Sequence, residues 1–302
     1  MPAFRRALIV INPVSGLAQG LRLGQRLAGR LQEYGVECSI RQTRGEGDAA
    51  QWAQSAGENG FDVIVAVGGD GTVAEVAAGL VRASLKIPLA HLPVGTANVI
   101  AIALSLPWMI RTAAAVISQG RIRSFDVGYL PDLGRHFLLM AAIGFPARII
   151  QDSPRKWKNI LGVFAYLAAG IRNLFVPKHA RLEIDTEYAP MVVKGHTVLI
   201  TNIGRIRQFG FAVAPGTSPH DGRFDVSIIS SRTVWDVLKI ALRLITWRQR
   251  TRAMRNFRAE RVRVVANPPL PIQIDGEILG TTPVTIEVIH GGVDIVVPAG
   301  YR

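Results

Sequence analysis

Short unbroken apolar runs alternate with amphipathic stretches over the first 130 or so positions. ALIVIN (7–12), DVIVAV (62–67) and IPLAHLP (87–93) are continuously apolar, and VECSIRQT (36–43) is a more polar fourth. Between them Leu23, Leu27, Leu31 and Tyr34 recur at helical spacing, and Val73, Val76, Ala77 and Leu80 do the same. Strands with no polar face, separated by amphipathic helices, predict a parallel sheet covered on both sides: a three-layer α/β domain over residues 1–125. Sheets of that kind take ligands at the carboxyl ends of their strands.

The pattern changes near Phe125. HFLLMAAIGF, ARLEIDTE, MVVKGHTVLIT, RFDVSIIS, RVRVVA, LPIQIDGE and VTIEVI all carry strand signals. Alternation is clearest in ARLEIDTE and RVRVVA, which predicts strands with one solvated face in an antiparallel β-sandwich over 126–297. Residues 298–302 are placed back with the first domain. No Gly/Ser linker separates the halves, and there is no internal repeat. Two stretches break the β pattern: 153–179, an apolar centre between cationic ends, and 233–258, with seven positive charges after Trp235. Interleaved Trp, Leu and Arg at helical spacing reads as an interfacial membrane segment, or as a helix on the sandwich with a solvated basic face.

Charge sharpens that choice. The chain of 302 residues has 35 Lys and Arg against 22 Asp and Glu, a net charge of +13. Such an excess predicts an anionic partner: nucleic acid, a nucleotide or an acidic membrane surface. No recognition helix or aromatic platform supports nucleic acid. The longest apolar stretch, Ile160 to Ile171, is well short of the ~20 residues that span a bilayer. The single cysteine, Cys38, fits a reducing compartment. MPAFRRALIVINP reads as a first strand, not a secretory leader.

Candidate chemistry sits at the predicted strand ends. INPVSG (11–16) places Asn12, Ser15 and Gly16 in a turn leading to a helix, suited to an anion. VGGDGTVA (67–74) puts Gly68, Gly69 and Gly71 around Asp70, with Thr72 as a predicted cap of the helix that follows. LPVGTAN (92–98) repeats the design with Gly95, Thr96 and Asn98, and Thr43 ends the second strand. Several phosphate-capable turns on one edge point to a nucleotide. Asp70 beside such turns would repel phosphates without a cation between them, which implies Mg²⁺; the plainer reading is a helix-capping Asp. Neither GxxxxGK[ST] nor GxGxxG is present.

GGDGTVAEVAAGL, with NPVSG before it and LPVGTAN after it, resembles the diacylglycerol kinase catalytic domain family, which includes the YegS-type lipid kinases and the sphingosine and ceramide kinases. FDVGYL (125–130), APGTSPHDGRFDV (214–226) and IDGEILGTTPVTIEV (274–288) resemble that family's later motifs in order. The resemblance implies an ATP-dependent kinase of a lipid hydroxyl, with the nucleotide in a cleft between an α/β domain and a β-sandwich. By residue match it gives Asn12, Thr43, Gly68 to Ala74 (Gly68, Gly69, Asp70, Gly71, Thr72, Val73, Ala74) and Thr96 to ATP. It gives Asp221, with the carbonyls of Ser218 and Arg223, to a structural Mg²⁺, although His220 stands where relatives often have a second Asp. Val99 replaces an Asp of the family's GT-x-ND-F-A run.

On this reading Asp70 and Asp126 hold the metal through waters and Glu277, paired with Asp275 on one strand face, accepts the hydroxyl proton. Asp70 is the rival base, and a hairpin turn is the plainer reading of Asp275-Gly276. The lipid enters from an anionic membrane surface on which the basic segments dock, which places the protein in the cytoplasm at the inner face of the membrane; monomer and homodimer are both open. Two other functions stay open: a soluble kinase of NAD or a sugar phosphate sharing the GGDG turn, and a non-catalytic nucleotide-binding paralogue.

Overall fold

The structure, a computed structural model, describes residues 3–152, 179–203, 205–206, 211–212, 218–231 and 254–301. The basic stretches expected at 153–179 and 233–258 fall outside those residues except at their ends. The chain divides into two compact units, Met1–Phe125 with Gly291–Arg302, and Asp126–His290. The return to the first unit at Gly291 is earlier than the expected 298, because the last strand runs on and Ile295 pairs with Leu89.

The first unit contains, in order, β1 (Arg6–Ile11), α1 (Ser15–Ala18), α2 (Gly20–Glu33), β2 (Glu37–Gln42), α3 (Asp48–Gln54), β3 (Val63–Gly68), α4 (Asp70–Arg82), β4 (Leu89–Pro93), α5 (Val99–Ala103) and α6 (Ile110–Gln119). Its strands form a parallel sheet in the order β2-β1-β3-β4. Alternate residues Ile9, Ile11, Val65 and Leu92 pack on one face against Leu27 and Leu31 of α2 and Ala113 and Ile117 of α6. On α4, Val73, Val76, Ala77 and Leu80 are buried, and α3 lies close beside that helix. A Cβ on Gly79 would stand 2.3 Å from the Ala50 carbonyl oxygen, so the two helices touch backbone to side-chain position. Because β2 and β3 lie on opposite sides of β1, the strand order reverses there, and a ligand crevice is expected outside the carboxyl ends.

After β5 (Arg121–Leu130), the second unit holds β6 (Arg135–Phe137), β7 (Met140–Gly144), α7 (Phe145–Asp152), β8 (Ala180–Thr186), β9 (Met191–Gly195), β10 (Thr197–Thr201), β11 (Arg205–Ile206), β12 (Phe211–Ala212), β13 (Phe224–Ile229), β14 (Met254–Ala259), β15 (Arg261–Asn267), β16 (Pro271–Ile274), β17 (Glu277–Thr281) and the first half of β18 (Val284–Val297), whose residues from Gly291 on count with the first unit. One antiparallel sheet runs β14-β13-β10-β7-β16-β17; in the other, β15 lies between β8 and the start of β18, with β9 beyond β8. Ile200, Phe224 and Val226 of the first sheet and Leu182, Val262 and Ile286 of the second share one core, which makes this unit the antiparallel sandwich. Met254–Ala259 corrects the helical reading of 233–258 at its end. These residues are a strand, paired from Met254↔Ile229 to Ala259↔Phe224, where cross-strand bonds to β13 outweigh the local helical spacing.

Candidate functional site

The carboxyl ends of the parallel strands bring four predicted segments together within the first unit. Thr43 donates its backbone N–H to the Ile11 carbonyl, and the Asn12 N–H bonds to Val67. The Gly68 carbonyl accepts from both Val94 (2.9 Å) and Gly95 (3.2 Å). The two glycine turns are therefore in direct contact: a Cβ on Gly95 would lie 2.5 Å from the Gly69 Cα. Gly16, at φ +60°, is fixed by the same assembly, since a Cβ there would lie 2.2 Å from the Val94 carbonyl oxygen. Ser15 lies in the short α1, with its N–H on the Asn12 carbonyl, and the Asn12 side chain accepts from Val14. Thr96 is exposed at the second turn.

Thr72 does not cap the helix. The cap position is Gly69, extended at φ −95°, and no side chain caps it. Thr72 is buried in the first helical turn, where it fills the place a Gly68 side chain would need, 2.4 Å from that Cβ position. Val73 is buried as well, so any ligand contact there is through backbone; Ala74 is half-buried.

Asp70 is the capping residue, but of a different helix. Its carboxylate accepts from Val99 N (2.9 Å) and Ile100 N (2.8 Å), the first N–H groups of α5. Burial pushes its carboxyl above the usual range, and those two N–H donors pull it partly back. Between the turns Asn98, buried and at φ 47°, donates from Nδ2 to the Gly95 carbonyl while its Oδ1 has no hydrogen-bond partner. Phosphates fit these residues: an α4 N-terminus of 13 residues, glycine backbone in contact with glycine backbone, and open space at the Gly71 Cβ position.

Three features of this site escaped the sequence. His91, 4 % exposed, contacts the Gly68 carbonyl through Nε2 at 3.2 Å, and burial lowers its pKa to about 4. Glu75 accepts from Gly47 N and Asp48 accepts from Arg44 N and Gly45 N, so two carboxylates shape the loop after Thr43. Beside Thr43 a groove of about 880 Å³ opens between β2 and α3, lined by Leu8, Ile40, Trp52 and Phe61 with Arg41 and Arg44. An isolated His in a strand and single acids on two different helices carry no periodic signal.

In the second unit the expected carboxylates have separate duties. Asp275 and Gly276 form the two-residue turn between β16 and β17, with φ 44° and 92°; positive φ at both positions is what a type I′ hairpin needs. Asp275 and Glu277 thus do not share a strand face. Asp275 accepts from three backbone N–H groups, Leu138 (2.8 Å), Leu139 (3.0 Å) and Met140 (2.9 Å). Glu277, half exposed, forms an ion pair with Arg135. Asp126 is fully buried: one oxygen takes the Gly222 N–H (2.7 Å) and the other the His290 Nδ1 (2.8 Å). That carboxylate has no face open to metal-bound water. Asn202, also missed, is buried and ties the Asp126 carbonyl to the Leu138 carbonyl through Nδ2.

The Asp221 turn departs from the expected metal site. Asp221 accepts from Arg223 N (3.2 Å), and its other oxygen faces Arg258 Nη1 at 3.4 Å. The turn's one carboxylate already has a cationic partner, Arg258, and His220 adds no second acid. Among the described residues no group of three or more His, Cys, Asp or Glu side chains could hold a metal.

This frame has relatives. A crystal structure of a diacylglycerol kinase from Bacillus anthracis superposes with a TM-score of 0.81 over 98 % of each chain at 23 % identity, which identifies the fold. Residues 6–130 match the diacylglycerol kinase catalytic domain, and 141–297 match the YegS C-terminal NAD kinase beta sandwich-like domain. The Bacillus subtilis diacylglycerol kinase is 30 % identical over 97 % of both chains. An uncharacterized Synechocystis protein is 35 % identical over 81 % of this chain, which spans 57 % of that relative's length. The chain belongs to the diacylglycerol kinase family, a family of lipid kinases.

Proposed function

We propose that this chain transfers the γ-phosphate of ATP to the free hydroxyl of a diacylglycerol-like lipid at an anionic membrane surface. The observation that carries the reading is the contact between the Gly68–Gly71 and Gly95–Thr96 turns at the carboxyl ends of β3 and β4. Two strand ends pressed together through glycine leave backbone N–H groups and a helix N-terminus to receive phosphate oxygens. The first unit, with Asn12, Thr43 and these turns, takes ATP. Mg²⁺ bound with the nucleotide would supply charge neutralisation, and Asp70 is the acid that would hold it.

Asp126–His290 takes the lipid. Glu277 is the base: its carboxylate removes the hydroxyl proton as that oxygen attacks the γ-phosphorus and ADP departs. Arg135 orients Glu277, and Asp275 fixes the hairpin from which Glu277 projects. Asp126 and Asn202 act as positioning residues beneath it. The test is transfer of labelled γ-phosphate from MgATP to diacylglycerol, monoacylglycerol, phosphatidylglycerol, ceramide and sphingoid bases in mixed micelles. Label on one or more of these lipids is expected; none on any would sink the reading.

A further inference from the structure

We propose that Arg258 is a built-in cation for the Asp221-Gly222 turn, so that this chain holds with a guanidinium what a divalent ion would otherwise have to hold. Three acids lie at the ends of β13 and β14: Asp221, Asp225 and Glu260. The strand register decides how they are met. Asp225 pairs directly opposite Arg258, and its Oδ1 lies 3.4 Å from Arg258 Nε. The same guanidinium presents Nη1 to Asp221 Oδ2 at 3.4 Å, which bridges the strand to the turn. Arg223 meets Glu260 in the same way, Nε to Oε1 at 3.4 Å. A planar fork suits this task because it presents two N–H edges to two carboxylates at once.

The second carboxylate that a metal–water network would need is taken too. Asp126 receives the Gly222 N–H and the His290 Nδ1 while its backbone N–H bonds to Pro219, so both ends of the turn close on Asp126 without a metal. A Mg²⁺ on Asp221 would sit roughly 2.1 Å from its oxygens. That places two positive centres on one carboxylate, and His220 offers no acid to offset them. The guanidinium and the ion compete for one place.

This assignment needs neither ATP nor lipid, so its test is separate from that of the kinase reading. Thermal unfolding is followed in EDTA and in excess MgCl₂ without nucleotide, and Mn²⁺ binding is counted by electron paramagnetic resonance as a visible stand-in for Mg²⁺. Wild type and Asp221→Asn are expected to bind equal numbers of Mn²⁺, and the wild-type midpoint is expected to be the same in EDTA and MgCl₂. Arg258→Gln frees the acids: its midpoint falls in EDTA, rises again with Mg²⁺, and it binds one more Mn²⁺ than the Arg258→Gln/Asp221→Asn double variant. Arg258→Lys, which keeps the charge, stays indifferent to metal. One extra Mn²⁺ in wild type over Asp221→Asn overturns the proposal, and so does an Arg258→Gln midpoint that ignores Mg²⁺. Should Arg258→Gln fail to fold, the wild-type comparison with Asp221→Asn decides alone.

Discussion

Gly71 lies exposed in the first turn of α4, and a side chain there would meet nothing within 4 Å. Glycine inside a helix costs about 0.5–1 kcal/mol relative to alanine. Under the proposed function that cost is offset by a phosphate that approaches the Gly71 backbone. Gly71→Ala is expected to raise the unfolding midpoint slightly while weakening ATP binding, read by calorimetric titration. Gly95→Ala behaves differently, because its Cβ would sit 2.5 Å from the Gly69 Cα. It should lose about 1–3 kcal/mol of stability together with ATP binding. Unchanged ATP affinity in Gly71→Ala would remove the phosphate from this turn.

The two candidate bases separate by the same logic. Asp70→Asn turns one acceptor of the Val99 and Ile100 N–H groups into a donor facing a donor, a loss of about 1–3 kcal/mol. Its lost activity would then not identify a base. Glu277→Gln gives up only a partly exposed ion pair, about 0–1 kcal/mol, while kcat should fall about 10²- to 10⁴-fold. Full activity in Glu277→Gln at an unchanged midpoint would move the base elsewhere.

Among the elements, those whose burial is complete were legible. β1, β3 and β4 are apolar at almost every position because both faces are covered, and α2 and α4 show their buried stripe at helical spacing. At the turns, Gly16 and Gly95 were legible because close backbone on the other side leaves no room for a side chain. Asp126, Asp275 and Asn202 were not, since their hydrogen bonds reach backbone 60 or more positions away, and residue type does not reveal a long-range partner. The hairpin at Asp275-Gly276 shows the limit well: the turn reading, not the strand-face reading, matches the local backbone preference.

His91 on β4 turns such hidden burial into a measurable pH dependence. Its folded pKa, about 4, lies below the ordinary 6.5, so it is neutral in the native state while the unfolded chain takes up a proton near pH 6.5. The stabilisation is complete above pH 6.5 and is lost as pH falls toward 4, by up to about 1.4 kcal/mol per pH unit. His196, lowered to about 4 by burial and then by His179, adds a loss of the same sign. Urea midpoints at pH 7.5 and 5 should differ, and His91→Phe should shrink the difference, because Val94 and Gly95 still satisfy the Gly68 carbonyl. A difference as large in His91→Phe as in wild type would exclude this origin.

For the whole molecule the charge of +13 is the property to test against a surface. Among the described residues no helix is long and apolar enough to cross a membrane. The proposed function asks for contact with a lipid surface, and the basic charge is the feature of the sequence to test for it. Arg248, Arg250 and Arg252 belong to the basic stretch after Trp235. A basic side chain near an anionic surface contributes about 1 kcal/mol before screening, so replacing these three with Gln should weaken vesicle binding by up to about two orders of magnitude. Flotation with vesicles of rising phosphatidylglycerol content should show binding that climbs with anionic lipid and declines with salt, as the screening length shortens from ~10 Å at 0.1 M to ~3 Å at 1 M. Phosphorylation of diacylglycerol in those vesicles should follow binding, whereas the same lipid in detergent micelles should be phosphorylated equally by wild type and the triple variant. That pairing separates docking from chemistry: a variant slow in both settings has lost more than its charge, and one that binds anionic vesicles as wild type does leaves the basic stretch without a membrane role.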